Sequence, residues 1–370
     1  MKLTLKLKLK TSQEELKKLS DTVQKFSEAS NQVSLLIKES NIKNHVILHR
    51  LYYYQIKSQF DLPAQMTCNA LKRALFAYKS GNKKTTITFK QNASMPFDDR
   101  MLSFKNNQVS ILTLNGRIKL NLIIYGAKAQ ELLNNRKGES ILVIKNNKAF
   151  LHIIYDAPEA TQLIPNNFLG VDFGIVNIAT TSEGQMFSGS YVDKVRSKYQ
   201  NLKSSLQKKE TRSSYRKLKK ISGRQARFVK NINHVISKTI VQRAKALDFG
   251  IALEELSKIK TPVKKAQQLR HDQWSFFQLR KFFEYKSALL GVPLVFVDPR
   301  NTSRECPKCH HTEKKNRKTQ DTFVCLKCNY SANADCNAAI NIAARASINR
   351  LNVANLNKVQ LQTQRSLIAE

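Results

Sequence analysis

Four cysteines near the C-terminus carry the first recognisable chemistry. Cys306 and Cys309 stand in C-P-K-C, fifteen residues intervene, and Cys325 and Cys328 stand in C-L-K-C. Each C-x2-C pair occupies a tight turn that aims two sulfurs at one point. A hairpin of this length folds the second turn onto the first. Tetrahedral, thiolate-seeking Zn2+ is the expected occupant, with free thiols or disulfides as the alternative. Four ligands leave no position for substrate, so this zinc is expected to be structural, and the adjacent His310 and His311 are not needed as ligands.

Three carboxylates offer chemistry of another kind. Asp172 sits in Gly170-Val171-Asp172-Phe173-Gly174, inside an apolar strand pattern. Glu254 and Glu255 end the apolar run Ile251-Ala252-Leu253, and Asp335 in Asn333-Ala334-Asp335-Cys336-Asn337 stands just before an expected helix. Singly, these are a turn Asp, a strand-end Glu and a helix N-cap. Together they are more, because a buried carboxylate is costly unless paired or metal-bound. Strands of one sheet and a following helix can bring all three to one edge. Two Mg2+ ions about 3.5–4 Å apart would relieve their repulsion, activate a water and stabilise the leaving 3′ oxygen of a phosphodiester.

The composition names the partner. Lys and Arg number 63 against 27 Asp and Glu, a formal charge of +36 over 370 residues. Such an excess repels itself unless a polyanion neutralises it, and nucleic acid is the first candidate. A membrane surface is second, but no stretch approaches the roughly 20 apolar residues of a span. The N-terminal Lys2-Leu3-Thr4-Leu5-Lys6-Leu7-Lys8-Leu9-Lys10 has period two and lacks the continuous apolar core of a signal peptide. It reads as a half-buried strand with a basic outer face. Only Cys68 and Cys336 remain beside the zinc set, so no disulfide framework is implied and a reducing cytoplasm fits.

The elements that must position these groups follow in order. Thr11-Ser12-Gln13-Glu14 opens a helix with a capping-box pattern, and helical spacing continues, with interruptions, through Tyr52-Tyr53-Tyr54 and again from Ala64 to Tyr78. Gly81-Asn82-Lys83-Lys84 closes that block. Strand patterns occupy Thr86 to Phe89, Val109 to Leu112, Ile118 to Ile123, Ile141 to Ile144 and Ala149 to Ile153, predicting a small barrel that the first strand can join. Pro165-Asn166-Asn167 is the clearest linker. Beyond it come a strand at Phe168 to Asp172, a second near Val176 to Thr180, a short third, and two long basic helices broken near Glu210 to Ser213. A strand at Ile251 to Leu256, an aromatic helix with Trp274, Phe277 and Phe283 that stops at Gly291, a strand at Val292 to Val297, the zinc hairpin and a last helix from about Asn337 to Ile348 complete the order.

That order resembles the split RuvC-like (RNase H-fold) domain of the TnpB family, transposon-encoded RNA-guided DNA endonucleases related to type V CRISPR effectors. The matching residues are Gly170-Val171-Asp172-Phe173-Gly174, Leu253-Glu254-Glu255-Leu256, Asp335-Cys336-Asn337-Ala338-Ala339 and Thr302-Ser303-Arg304-Glu305-Cys306-Pro307-Lys308-Cys309. Trp274, Tyr285-Lys286 and Gly291 fit the helix before the ribbon. The resemblance implies an α/β plus β fold: a wedge-like β-barrel at 1–10 and 81–165, a helical recognition lobe at 11–80, a RuvC-like nuclease at 168–300 and 332–348, a zinc ribbon at 301–331, and a flexible tail at 349–370. It implies Mg2+ held by Asp172, Glu254 and Asp335 as catalytic acids. It also implies a transposon-derived guide RNA, a double-stranded DNA target cut beside a short motif, with its displaced strand, and a prokaryotic cytoplasmic setting near the nucleoid. Three positions depart from the family pattern: Asn333 stands where Asp is common, Glu255 where Asp or Asn is, and His310 and Asn329 where glycine commonly follows each Cys pair. A nuclease-weak RNA-guided repressor or transposition regulator is the alternative, and a strand-joining DNA transposase a more distant one.

Weaker signals concern nucleic acid. Between Lys194 and Lys230 the only acid is Glu210, and Arg212, Arg216, Lys217 and Lys220 cluster where the second helix begins. They read as a phosphate-tracking wall or as a solvated hairpin. Tyr52 and Tyr53 could stack on bases, and Gln65 and Asn69 could read adenine in a short target-adjacent motif. His45, His49, His152, His234 and His271 are scattered and read as structural or surface residues rather than catalytic ones.

Overall fold

The computed structural model describes residues 1–80, 85–124, 127–255 and 276–348. Gly81 to Lys84, Leu256, His271, Trp274 and the tail at 349–370 lie outside them. The chain divides into two units, Met1–Pro158 and Glu159–Glu370. The division precedes the Pro165 linker because residues 160–167 belong to the second unit. Leu163 N–H donates to Gly291 O at 2.8 Å and Gly250 N–H to Asn167 O at 2.9 Å.

In the first unit β1 (Lys2–Lys10) is central, with alternate leucines turned inward. It pairs antiparallel with β7 (Lys148–Asp156) on one side and β5 (Gly116–Ile123) on the other. β6 (Ser140–Lys145) and β2 (Met95–Phe97) extend the sheet beyond β7, and β4 (Gln108–Thr113) and β3 (Leu102–Lys105) extend it beyond β5. Edges β2 and β3 are not paired with each other, so the expected barrel is a curled, open seven-stranded half-barrel.

Helix α1 (Gln13–Ser40) begins with a capping box one residue later than the Thr11-to-Glu14 pattern: Ser12 Oγ accepts from Glu15 N–H at 3.2 Å and Glu15 Oε2 from Ser12 N–H at 2.7 Å. α2 (His45–Phe60) and α3 (Ala64–Ser80) pack with it around Phe26, Leu48, Ile56, Met66 and Leu71. The strand expected at Thr86 to Phe89 does not form. That segment is extended, but its backbone is held by side chains: Asn31 bonds both the N–H (2.6 Å) and C=O (3.0 Å) of Phe89, and Ser34 donates to Ile87 O at 2.5 Å. A short helix α4 (Ala127–Asn134), not expected from the sequence, precedes β6.

The second unit is built on a five-stranded sheet in the order β10-β9-β8-β11-β12. β8 (Phe168–Asp172), β9 (Asn177–Thr181) and β10 (Met186–Ser188) form an antiparallel meander, while β11 (Gly250–Glu254) runs parallel to both β8 and β12 (Leu294–Val297). The two central strands are buried on both faces, which explains their unbroken apolar runs. α6 (Arg212–Ala246) and α7 (Phe276–Leu290) cover one face through Ile236, Ile240, Leu279 and Phe283 against Leu169, Val171, Ile251 and Leu253. Lys286 ties the two helices together, donating to His234 O at 2.6 Å and Ser237 Oγ at 2.7 Å. α7 ends at Gly291 (φ +67°), where Val292 N–H reaches back to Ser287 O at 2.9 Å; only glycine takes this turn without strain.

The final helix, α8 (334–348), covers the opposite face through Ile342 and Ala346 against Phe168, Ala252 and Val297. It starts earlier than the sequence suggested. Asn333 Oδ1 accepts from Asp335 N–H (3.0 Å) and Cys336 N–H (3.2 Å), so Asn333 is the N-cap and Asp335 lies inside the first turn.

Candidate metal centres and nucleic-acid surface

Pleat parity puts the acids on one face. Phe168, Gly170 and Asp172 share a face of β8, and Ala252 and Glu254 share a face of β11. Phe168 and Ala252 pack under α8, so this is the α8 face. The parallel register pairs Ala252 with Gly170 and Leu253 with Val171; one step on, Glu254 comes abreast of Asp172. Gly170 lets α8 come close: a Cβ there would fall 2.0 Å from Ala339 O and 2.7 Å from Ala343 N. Asp335, on the first turn of that helix, is thereby delivered to the strand ends.

The electrostatics record the convergence. The dry surroundings push the Asp172 carboxyl up to about 8, with the charges of Glu254 and Asp335 adding to the effect and Arg317 opposing it. Burial raises Glu254 as well, against a hydrogen bond from Thr302 and the charge of Arg345. Asp335 accepts from Asn177 Nδ2 at 2.9 Å and Arg317 Nη2 at 3.4 Å, and Glu254 accepts from Thr302 Oγ1 at 2.6 Å. Three hard oxygen donors with too little cation among them suit a divalent ion such as Mg2+. The carboxylates are not drawn to a single point; among the described residues only the four cysteines lie within 4.8 Å of one another.

Asn177, Arg317 and Thr302 reach the acids from the β9 hairpin, the cysteine hairpin and the loop before it, and sequence reasoning assigned them no role there. The family departures now have local reasons. Asn333 caps α8. Glu255 points to the other face of β11, where Arg280 grips it with two bonds of 2.6 and 3.1 Å while stacking on Phe296, 3.9 Å from ring centroid to guanidinium.

The cysteine cluster is a symmetrical pair of turns. Sγ–Sγ distances of 3.5 Å join Cys306 to Cys328 and Cys309 to Cys325. The edge of a tetrahedron with Zn–S bonds of about 2.3 Å is about 3.8 Å, so the thiols are set close to metal geometry. His310 N–H donates to Cys306 O (2.9 Å) and Asn329 N–H to Cys325 O (3.0 Å), with φ of 56° and 55° at the two residues. Left-handed backbone at both explains why glycine is favoured there. Buried Asn316 stitches the turns together, donating to Arg304 O and His311 O and accepting from Leu326 N–H.

The nucleic-acid candidates separate. Arg212, Arg216, Lys217 and Lys220 are all exposed on the first turns of α6, which Thr211 caps, across a short turn from α5 (Ser190–Gln207). Tyr52 and Tyr53 are half-buried against the helical core, Tyr53 stacking on His49 at 4.7 Å; Tyr54, 79% exposed, is the ring open to solvent. Gln65 bonds Asn69 and Asp98. Asn69 is 2% exposed, with its amide directed to Met101 Sδ, so burial removes it as a reader of base edges.

Comparison with known proteins finds matches along most of the chain. Residues 152–258 match the family described as probable transposase, and residues 276–342 match the Cas12f1-like TNB domain. The CRISPR-associated endodeoxyribonuclease Cas12f1 of Sulfoacidibacillus thermotolerans is 24% identical over 348 residues, 80% of this chain and 81% of that protein. A TnpB-like protein of Methanocaldococcus jannaschii is 26% identical over 256 residues, 64% of this chain and 89% of its own length. InsQ of Escherichia coli, a candidate RNA-guided DNA endonuclease, is 28% identical over 208 residues, 51% of each chain. In solved structures, the fold is similar to that in a cryo-EM structure of a Cas12f1–sgRNA–target DNA complex, with TM-score 0.60 and 14% identity over 92% of this chain and 98% of that one. From its cysteine hairpin and carboxylate-bearing sheet to these matches along most of its length, the chain is similar to TnpB-like proteins and to Cas12f endonucleases.

Proposed function

We propose that this protein is an RNA-guided, Mg2+-dependent DNA endonuclease of a mobile element, and that its five-stranded sheet is an RNase H-like (RuvC) nuclease module. The observation that carries the reading is the convergence of Asp172, Glu254 and Asp335 from β8, β11 and α8, with Arg317 the only cation hydrogen-bonded to any of them among the described residues. Asp172, Glu254 and Asp335 would hold the divalent ions. When bound, these ions supply Lewis-acid charge to the attacking and leaving oxygens of a phosphodiester. Arg317 and Asn177 fix the two oxygens of Asp335, and Arg317, 26% exposed, also turns a positive charge toward an arriving phosphate. The four thiolates hold a structural Zn2+ that keeps Arg317 and Thr302 at the site.

In this reading the half-barrel and the helices of the Met1–Pro158 unit engage guide and target near a short licensing motif. The module at 168–300 and 332–348 cuts, and 301–331 is the ribbon. The exposed start of α6 tracks phosphates of the guide–target duplex and the displaced strand, reading shape while base pairing reads sequence. No described helix is long and apolar enough to cross a membrane, and the protein works in the cytoplasm at the nucleoid. A nuclease-weak repressor is disfavoured because Asn333 and Glu255 have structural tasks that leave the acid set complete. The test is to purify the protein from its host locus and sequence the RNA it carries. A defined transposon-end transcript is expected; random RNA would contradict the proposal.

A further inference from the structure

The loop between β12 and the cysteine hairpin, residues 298–305, is fastened to α8 by one polar stripe. Asn337, Asn341 and Arg345 recur every four residues along the helix. Asn337 Nδ2 donates to Glu305 O at 3.0 Å. Asn341 Nδ2 donates to Thr302 O and Glu305 O, both at 2.8 Å, which uses both of its hydrogens. Arg345 donates to Asp298 O and Arg300 O at 2.7 Å and to the Glu305 carboxylate at 2.7 Å. Asn337, Asn341 and Thr302 are at most 4% exposed.

This stripe has a consequence at the acid cluster. Thr302 Oγ1 lies 2.6 Å from Glu254 Oε1 and 3.1 Å from Pro299 O, and its single proton goes to the nearer, charged acceptor. It is the one hydrogen bond the Glu254 carboxylate receives among the described residues, so Oε1 is restrained and Oε2 is left for another ligand. We infer that Thr302, held in place through its carbonyl by Asn341, is a positioning residue that orients Glu254 toward its divalent cation and thereby links the cysteine hairpin to that site. The inference rests on the reading of Glu254 as a cation-holding acid. A purely structural Thr302 would cap the Pro299 turn and leave Glu254 indifferent to the hydroxyl.

The test is Mn2+ binding by the full-length, zinc-loaded protein, followed by electron paramagnetic resonance of free Mn2+, with zinc content measured alongside. Thr302→Val keeps the shape and removes the hydroxyl; loss of such an outer partner typically weakens metal binding about 10–100-fold. Thr302→Ser should restore wild-type affinity. Asn341→Ala, which keeps the hydroxyl but frees its loop, should weaken binding in the same direction, and Thr302→Val and Thr302→Ser should retain zinc. Wild-type Mn2+ affinity in Thr302→Val, with binding lost in Glu254→Ala, would overturn the positioning role while sparing the nuclease reading. Wild-type affinity in Glu254→Ala would instead overturn the assignment of Glu254, and this inference with it.

Discussion

Gly170→Ala adds one methyl group at the point where β8 meets α8. That Cβ would sit 2.0 Å from Ala339 O, 2.7 Å from Ala343 N and 3.0 Å from Ala343 Cβ, where ordinary contact begins near 3.4 Å. The two closest atoms are helix backbone and cannot rotate aside, so α8 must retreat by about 1.4 Å along the closest line. Overpacking of this kind typically costs about 1–3 kcal/mol. Asp335 rides the first turn of α8 and Asp172 follows Gly170 by two residues, so the retreat opens the distance between the two acids. A misplacement of about 1 Å can cost about 10²-fold in rate. Single-turnover cleavage of a guide-matched duplex should therefore fall about 100-fold, with zinc content unchanged and a lower denaturation midpoint. Wild-type cleavage and stability together would refute the argument that the glycine contact sets the acid geometry.

Two further outcomes are expected. Replacing Arg212, Arg216, Lys217 and Lys220 by alanine should weaken nucleic-acid binding with little sequence dependence, and the log–log salt slope should shrink by up to about 0.9 for each duplex phosphate that is no longer neutralised; an unchanged slope would return this hairpin to a structural role. His310→Gly should stabilise the cysteine hairpin by about 1 kcal/mol, because a left-handed non-glycine residue costs roughly 1–2 kcal/mol and the exposed His310–Glu305 pair at 3.3 Å offsets little of it. Slower zinc loss to a chelator is the readout, and faster loss would contradict the strain argument.

The legible parts of this chain are those where local chemistry and tertiary need coincide. The C-x2-C spacing is itself a turn geometry, and the acids at Asp172 and Glu254 stand out because each closes a buried apolar strand. The leucine–lysine alternation of β1 gave its inward face directly. Other parts were hidden because their partners are remote. Thr86 to Phe89 has a strand composition, yet its hydrogen bonds go to Asn31, Ser34 and Tyr78 rather than to a ladder. β2 and β3 are too short to show a period, and β2 contains Pro96. Asn333 and Asp335 are both good N-cap residues, and only the structure shows that Asn333 takes that position and frees Asp335 for the acid cluster. Asn177 meets Asp335 across 158 positions of sequence, and Arg317 reaches it from a basic stretch that looks like solvent-facing loop.

The central claim is that the three acids cut DNA, and Asp172→Asn in the RNA-loaded protein tests it most directly. The amide keeps the shape and removes the charge that burial, Glu254 and Asp335 already disfavour. The variant should therefore fold at least as stably as wild type and retain its guide RNA. With Mg2+ and a guide-matched duplex carrying the licensing motif, it should bind and not cleave. Cleavage by Asp172→Asn at the wild-type rate would contradict the account.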